Sequence, residues 1–171
     1  MGAAILLTGR PGCGKTTLIR GVLAGLRSPA GGFYTREIRA QGKRLGFEIV
    51  TLDGIHGTLA HINIRSSKRV GKYGVDLEAL DRLGTGAIRE ALAAGGLVVI
   101  DEIGPMEIAS PRFRQAVLAA LESQSPVLGT IVGRSTPFTD AIKRRPEVTL
   151  IEVRPDNRDE LVEHVLNLLI T

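Results

Sequence analysis

The sequence predicts an α/β fold in which a parallel sheet is covered by helices on both faces. Three observations support this prediction. Apolar runs too short to be helices, such as residues 3–8, 97–100 and 127–132, are typical of strands buried on both faces. Segments with helical periodicity separate these runs, as in wound α/β domains. A glycine-rich stretch lies directly between the first apolar run and the first helical segment.

The first third of the chain predicts one strand, one helix and a β-rich region. A strand over 3–8 precedes a helix over 15–27, where apolar residues recur at helical spacing. Residues 33–54 alternate apolar and polar side chains around the turn-forming pair Gln41-Gly42, which indicates a β-hairpin. A third short strand over 57–64 extends this region. We interpret it as an insertion in the wound domain.

The rest of the chain returns to alternating helices and strands. Residues 76–92 predict a helix that is interrupted because Gly84 and Gly86 weaken its middle. Ser110 and Pro111 are an N-cap and first-turn pair that opens a further helix. The other predicted elements are strands over 96–102, 127–132 and 148–153, a short helix over 139–144, and a final helix capped by Asp156.

Composition indicates a globular protein and excludes several functional classes. Hydrophobic residues make up 43% of the chain and charged residues 23%, which is typical of a globular rather than a disordered protein. The length of 171 residues suits one domain, which we expect to span 1–171. Aromatic residues make up only 4%, which disfavours a stacking platform for single-stranded nucleic acid. The single cysteine, Cys13, excludes an internal disulfide, and the histidines show no ligand spacing for a metal.

Charge and hydropathy restrict the partners and the location. The net charge of +4 suits phosphate-bearing ligands. It also permits nucleic acid, although scattered basic residues more often form a solvated face. No apolar run approaches the roughly 18 residues of a membrane span. The first residues lack the pattern of a secretory signal, so the expected location is the cytoplasm.

The glycine-rich stretch GRPGCGKT matches the pattern G-x-x-x-x-G-K-[ST] between a strand and a helix. Glycine lets several backbone N–H groups turn inward around phosphate oxygens, and the helix N-terminus adds a favourable dipole. Lys15 supplies charge to the β- and γ-phosphates, Thr16 offers a hydroxyl to Mg²⁺, and Thr17 contacts the α-phosphate. The predicted phosphate-binding residues are Gly9, Arg10, Pro11, Gly12, Cys13, Gly14, Lys15, Thr16 and Thr17.

An acidic pair ends the strand LVVIDE. This strand delivers Asp101 to the carboxyl edge of the sheet, where wound α/β folds bind their ligands. We expect Asp101 to hold Mg²⁺ together with Thr16. Glu102 is the candidate that polarises a water molecule for attack on the γ-phosphate, and a carboxylate poised for water favours hydrolysis.

Six segments in order along the chain resemble a known family of small enzymes, the cancer-related nucleoside-triphosphatases. The first of them is common to many ATPases, whereas GFYT and DEIGPME are much more particular. The segments are LTGRPGCGKTTLI, GGFYTREIR, GFEIVTLDG, VGKYGVDL, VIDEIGPME and LGTI.

The resemblance implies a three-layer, RecA-like P-loop fold. It also implies Mg²⁺-dependent hydrolysis of several nucleoside triphosphates, including ATP and GTP, to the diphosphate and phosphate. A second nucleotide-contacting segment follows from it as well. Its residues are Val99, Ile100, Asp101, Glu102, Ile103, Gly104, Pro105 and Met106.

Phosphoryl transfer also needs a cation beyond the loop lysine. Arg134 follows the strand over 127–132 and is the leading candidate. Thr130 either senses the γ-phosphate or is an ordinary strand residue. Tyr34, Tyr73 and Phe138 either stack on a base or pack in the protein.

Two rival functions stay open at this stage. One is a nucleotide or small-molecule kinase whose hairpin closes over an acceptor. The other is a nucleic-acid-associated ATPase that uses the basic loops. The chain is short for an additional ring-forming lid domain, so we expect a monomer.

Overall fold

The computed structural model describes residues 1–170, and within that range nine strands form one sheet. The order across the sheet is β5-β6-β4-β3-β2-β7-β8-β1-β9. The strands are β1 (Ala4–Thr8), β2 (Ala30–Ala40), β3 (Lys43–Thr51), β4 (His56–His61), β5 (Arg69–Val70), β6 (Tyr73–Val75), β7 (Leu97–Ile103), β8 (Val127–Ile131) and β9 (Val148–Glu152).

Helices connect the parallel strands. They are α1 (Lys15–Gly25), α2 (Leu77–Ala79), a π-helical turn (Leu80–Thr85), α3 (Gly86–Ala94), a 3-10 turn (Glu107–Ala109), α4 (Pro111–Glu122), α5 (Pro137–Lys143) and α6 (Arg158–Ile170). Within residues 1–170, none of these helices has both the length and the hydropathy needed to cross a bilayer.

The parallel half of the sheet confirms the predicted fold class. Strands β2, β7, β8, β1 and β9 are parallel neighbours. Parallel strands end at the same edge of a sheet, so the segments after β1, β7 and β8 meet at one carboxyl edge. That edge carries the loop before α1 and the acidic pair of β7.

The predicted hairpin forms, and its first strand belongs to both halves of the sheet. Residues 30–33 of β2 pair in parallel with β7, and the last pair joins Phe33 to Ile100. From there to Ala40, β2 pairs antiparallel with β3. Strand β2 therefore extends beyond the last residue that pairs with β7, and this extension forms the hairpin with β3. Gln41 and Gly42 both have positive φ, 52° and 76°, as a tight two-residue turn requires.

Alternate side chains of the buried strands enter two separate cores. In β1, Ala4 and Leu6 face the larger core with α3 and α4, whereas Ile5 and Leu7 face the smaller core with α1 and α6. The rings of Phe33 and Phe113 meet edge to face in the larger core, with centroids 6.1 Å apart. Helices on both faces of the sheet make the predicted three layers.

The interrupted helix over 76–92 is confirmed as α2, the π-helical turn and α3. Asp76 caps its start, since the carboxylate accepts a hydrogen bond from the Ala79 amide at 2.9 Å. Ser110 caps α4 by accepting from the Phe113 amide at 3.1 Å. Both caps satisfy N–H groups that a helix start leaves without a partner.

Three predicted boundaries shift. Helix α1 ends at Gly25 rather than Arg27. Helix α5 begins at Pro137 rather than Thr139, because a capping box between Thr136 and Thr139 starts it earlier. Strand β4 ends at His61 rather than residue 64.

The predicted cap of the last helix is wrong. Helix α6 begins at Arg158 rather than next to Asp156. The Asp156 carboxylate pairs instead with Arg154 at 3.1 Å. The side chain of Asn157 accepts a hydrogen bond from the Arg154 amide at 2.7 Å and closes a turn before the helix. This local side-chain-to-backbone bond delays the helix start.

Candidate active site

The loop between β1 and α1 leaves backbone donors without protein partners. Gly12 and Gly14 have φ of 79° and 101°, a region that residues with a Cβ rarely adopt. No side chain caps α1, and its first hydrogen bond runs from the Leu18 amide to the Gly14 carbonyl at 2.9 Å. The amides of Lys15, Thr16 and Thr17 therefore have no acceptor within residues 1–170. Such a helix N-terminus binds anions.

Lys15 lies across this loop. Its ammonium nitrogen donates to the Gly9 carbonyl at 2.6 Å and reaches the Arg10 carbonyl at 3.5 Å. The full positive charge of the side chain thus stands beside the unpaired amides. Together they form a positive cradle, as the sequence predicts.

Asp101 joins three elements at the carboxyl edge. One carboxylate oxygen accepts a hydrogen bond from the Thr16 hydroxyl at 2.7 Å, and the other accepts from the Thr130 hydroxyl at 2.7 Å. The residue is only 4% exposed. Burial raises the pKa of Asp101, while both hydroxyls and the charge of Lys15 oppose that rise. Thr130 therefore orients the carboxylate that faces the loop.

Glu102 lies next to Asp101 at the edge of the cleft. Burial, together with the neighbouring charge of Asp101, raises the pKa of Glu102, and Lys15 lowers it. A Cβ at Gly104 would lie 2.5 Å from a carboxylate oxygen of Glu102, so glycine leaves room for that side chain. A carboxylate with a raised pKa is better matched to accepting a proton near neutral pH.

The donor set fits a hard divalent cation. Thr16 and Asp101 present hydroxyl and carboxylate oxygens, which are the ligands Mg²⁺ prefers. No group of three or more His, Cys, Asp or Glu side chains capable of holding a metal occurs in the described residues. Mg²⁺ commonly uses one or two protein oxygens together with substrate phosphates and water. The residues present therefore suit a metal that arrives with a phosphate ligand.

The loop and the acidic pair open into a cleft of about 460 Å³. Its size falls within the roughly 300–1,000 Å³ typical of ligand sites. The β2–β3 hairpin forms one wall through four side chains: Thr35, Glu37, Arg44 and Phe47. Arg158 at the start of α6 also lines the cleft, and a Cβ at Gly14 would overlap its side chain.

Arg44 and Arg158 are cleft residues that the sequence reasoning missed. Arg44 lies in a strand of alternating charge, and Arg158 lies at an ordinary helix start. Neither position carries a local motif. Only the pairing of β2 with β7 and the packing of α6 against α1 bring them to the loop.

Arg134, the predicted catalytic cation, is not brought to the cleft. It is exposed in the loop after β8, and it does not line the cavity that contains Lys15 and Glu102. Its backbone carbonyl accepts a hydrogen bond of 3.5 Å from the Thr139 hydroxyl, which makes it part of the start of α5. Arg134 does follow a strand, as predicted, but its side chain is exposed to solvent.

The segment from Val99 to Met106 contributes only its acidic pair to the cleft wall. The side chains of Val99, Ile100 and Ile103 are fully buried in the cores. Pro105 and Met106 line a smaller cavity of about 110 Å³ that adjoins Glu102. Alternation along a strand buried on both faces sends these neighbours away from the cleft.

Two other residues of the predicted phosphate-binding loop, Arg10 and Cys13, do not line the main cleft. Cys13 is buried in the smaller core, where it lies with Val153. Arg10 lines a separate surface cavity with Glu152 rather than the main cleft. Their backbone can still shape the loop, since the Cys13 amide donates to the Arg10 carbonyl at 3.2 Å.

Glu107 is a further acidic residue that the sequence reasoning did not single out. It is 4% exposed and lines the smaller cavity together with Glu102. Burial and the nearby charge of Glu102 hold the pKa of Glu107 well above its ordinary range. The quoted segment DEIGPME contains this residue, but nothing in that pattern indicates complete burial.

Comparisons with known proteins cover nearly the whole chain. A family model described as NTPase matches residues 4–166. The nucleoside-triphosphatase THEP1 of Thermotoga sp. (strain RQ2) is 46% identical over 165 residues, covering 96% of this chain and 94% of that protein. A cancer-related nucleoside-triphosphatase homolog of Bos taurus is 39% identical, covering 97% and 96%.

Two solved structures share the fold. The crystal structure of THEP1 from the hyperthermophile Aquifex aeolicus superposes with a TM-score of 0.91 at 35% identity, covering 98% of this chain and 99% of that one. The solution structure of a human cancer-related nucleoside triphosphatase gives 0.81 at 36% identity, covering 98% and 96%. Because family model, relatives and structures all extend over nearly the full length, this protein is an enzyme of the NTPase family.

Proposed function

We propose that this protein hydrolyses nucleoside 5′-triphosphates to the diphosphate and phosphate, with Mg²⁺ and with little selection among bases. The observation that carries the proposal is the 2.7 Å hydrogen bond between Thr16 and Asp101, which unites the phosphate loop with the acidic pair in one cleft. The relatives are named nucleoside-triphosphatases, which supports the same reaction class.

Binding of the triphosphate falls to the loop. The unpaired amides of Lys15, Thr16 and Thr17 donate to phosphate oxygens, and the dipole of α1 adds a favourable field. The Lys15 ammonium moves from the Gly9 carbonyl to the β- and γ-phosphates, because an anionic oxygen is a stronger acceptor than a carbonyl.

Thr16 and Asp101 are the residues that would hold Mg²⁺. When bound, the ion would neutralise phosphate charge and favour expulsion of the diphosphate. Thr130 keeps the Asp101 carboxylate facing the loop through the second oxygen. This support leaves the other oxygen directed toward Thr16.

Glu102 acts as the general base. A water oxygen forms a bond to the γ-phosphorus as the bond between that phosphorus and the β,γ-bridging oxygen breaks. Glu102 accepts the proton that the water gives up, and the bridging-oxygen electrons leave with the diphosphate. Lys15 stabilises the charge that develops on the phosphate oxygens.

We attribute the broad base specificity to an arginine side chain near the loop. The Arg158 side chain lies against Gly14 at the rim of the cleft. A guanidinium plane can stack on any base because every base presents a π-face. We propose that Arg158 contacts the base in this unselective way.

The second candidate function is phosphoryl transfer to a small acceptor. The hairpin wall of Thr35, Glu37, Arg44 and Phe47 favours it, since the cleft extends beyond the loop and the acidic pair. A nucleic-acid-stimulated ATPase is the other alternative. The proposal otherwise keeps the expected single domain over 1–171, acting as a monomer in the cytoplasm.

Phosphate release from a panel of triphosphates with Mg²⁺ tests these functions. Hydrolysis without an acceptor, lost in Lys15→Ala and in Glu102→Gln but kept in the exposed control Glu163→Gln, supports the proposal. Stoichiometric phosphoryl transfer to an added acceptor, with little release of free phosphate, supports the kinase. A many-fold rise with RNA or DNA that collapses with salt supports the third function. Turnover indifferent to both substitutions rejects the hydrolase.

A further inference from the structure

We propose that Arg44 of β3 is the catalytic cation that contacts the γ-phosphoryl group, supplied from within the same chain. This inference rests on the proposed hydrolysis. It gives the role expected of Arg134 to a different residue. The carrying observation is that an anchored guanidinium on the hairpin shares the cleft with Lys15 and Glu102.

The guanidinium of Arg44 is held in place from several sides. Its Nε donates to the Tyr73 hydroxyl at 2.9 Å, and one terminal nitrogen lies 3.2 Å from a Glu37 carboxylate oxygen. Its central carbon lies 5.0 Å from the Phe47 ring centroid and 5.6 Å from that of Tyr73. An arginine fixed in this way loses less conformational freedom when it binds a phosphate.

The same guanidinium keeps donors free for a ligand. Its second terminal nitrogen has no acceptor in the part of the chain that the structure describes. The side chain is 41% exposed and lines the cleft. A guanidinium held through Nε and one terminal nitrogen, in a side chain that lines an open cleft, can donate its remaining N–H groups to phosphate oxygens.

The hairpin wall stands on the side of the cleft where Glu102 lies. Thr35, Phe47 and Glu102 line both the main cleft and the smaller adjoining cavity. Because Arg44 stacks on Phe47, its guanidinium belongs to the Glu102 side. That side is where the attacking water and the γ-phosphoryl meet. Arg158, in contrast, lies against Gly14.

Sheet geometry explains how a hairpin residue reaches this place. The pairing of β2 with β7 stops at Phe33 and Ile100, directly before Asp101. The hairpin continues past this point, and Arg44 stands opposite Arg39 near its tip. Charge that develops on a transferring phosphoryl group needs such a donor beyond the loop lysine.

Single-turnover hydrolysis of Mg²⁺-ATP by the full chain tests the proposal, using Arg44→Ala, Arg44→Lys and a matched control. The control is Arg39→Ala, since Arg39 is on the same hairpin, pairs with the same Glu37, and does not line the cleft. We expect Arg44→Ala to lower the rate by about 1,000-fold or more, as for other arginines in phosphoryl transfer. We expect ADP affinity to stay within about threefold, since the contact belongs to the transition state. Arg44→Lys should retain an intermediate rate, and Arg39→Ala should behave as wild type.

A second readout separates catalysis from hairpin stability. Wild type should trap ADP with aluminium fluoride and Mg²⁺ as a stable complex, and Arg44→Ala should not. If Arg44→Ala unfolds at a lower temperature than wild type, Tyr73→Phe replaces it in the test. This variant removes the hydroxyl that accepts from Arg44 and keeps the charge of the guanidinium. A lowered rate in folded Tyr73→Phe with unchanged ADP affinity supports the proposal, and an unchanged rate overturns it.

The outcomes also distinguish this inference from the proposed function. If wild type hydrolyses ATP and Glu102→Gln does not, but Arg44→Ala stays within about threefold of wild type, only the role of Arg44 fails. A loss in Arg134→Ala in place of Arg44→Ala overturns it as well. If wild type itself releases no phosphate from any triphosphate, the proposed function fails first.

Discussion

Thr16 and Asp101 lie 85 residues apart in the sequence, and their side chains meet in a hydrogen bond of 2.7 Å. One follows the phosphate loop and the other ends a central strand. Their contact puts a hydroxyl and a carboxylate at the same point beside Lys15. In the proposed function, this contact joins phosphate binding and hydrolysis at the carboxyl edge of the sheet.

Asp101→Asn should weaken Mg²⁺-dependent nucleotide binding while leaving the protein folded. The amide keeps the shape and one oxygen, but it removes the negative charge, so we expect a loss of metal affinity larger than the roughly 10–100-fold typical of removing a group that supports a ligand. Titration of Mg²⁺ against nucleotide binding measures it. Thr130→Val, which removes only the support of Asp101, should show a smaller loss. Equal Mg²⁺ affinity in Asp101→Asn and wild type would remove Asp101 from the metal site.

Gly12→Ala should impair nucleotide binding for conformational reasons alone. Gly12 and Gly42 have φ of 79° and 76°, and a Cβ at either position meets nothing within 4 Å. Each alanine should therefore cost about 1–2 kcal/mol in the free energy of unfolding. Only Gly12→Ala should lower nucleotide affinity, because Gly42 lies in the hairpin turn. Denaturant unfolding and ADP binding measure the two effects, and equal affinities in the two variants would contradict the cradle.

Glu107→Gln should change how stability depends on pH. Burial raises the pKa of Glu107 well above that of the unfolded chain, so the folded state keeps a proton that the unfolded state loses. Wild-type stability should consequently fall as pH rises from the unfolded value toward the folded one. The glutamine holds no such proton, and its stability relative to wild type should be greater at pH 8 than at pH 5.

Thermal or denaturant unfolding at both pH values gives the comparison, with the exposed Glu163→Gln as the control. The control should show no such difference. A stability gap between Glu107→Gln and wild type that does not change with pH would show that Glu107 titrates alike in the folded and unfolded chains.

Turnover per chain should not depend on protein concentration. In our proposal Arg44 is the catalytic cation and lines the cleft of its own chain, so catalysis should require no cation from a second copy. Specific activity measured over about a hundredfold range of enzyme concentration should stay constant, since mass action would otherwise raise it. An activity that rises with concentration would indicate a catalytic group donated by another molecule.

Arg158→Ala should raise KM for every nucleoside triphosphate by a similar factor. Stacking on a guanidinium contributes to all bases and selects among none. Steady-state kinetics with ATP, GTP, CTP and UTP measures this, with Arg154→Ala as a neighbouring exposed control. A loss confined to one base would show that Arg158 reads a base edge.

Local patterns along the chain were sufficient to predict the loop and to suggest the roles now proposed for its residues. Gly9, Lys15 and Thr16 are spaced by a pattern whose function depends on backbone conformation over a few residues. The strand before the loop and the strand ending in Asp101 are recognisable because buried strands are short and apolar. The helix starts at Asp76 and Ser110 were also predictable, because a helix cap involves only residues that are close in sequence.

The tertiary structure alone decided which distant side chains complete the site. The pattern placed Arg134 after a strand, but whether a loop side chain turns inward depends on packing that short-range signals do not contain. Arg44 reaches the cleft because β2 leaves β7 and pairs with β3, a relationship between residues far apart in the chain. Glu107 is buried because the turn after β7 folds back against the hairpin. Local sequence determines conformation over a few residues, whereas side-chain proximity across a sheet depends on the free energy of the whole fold.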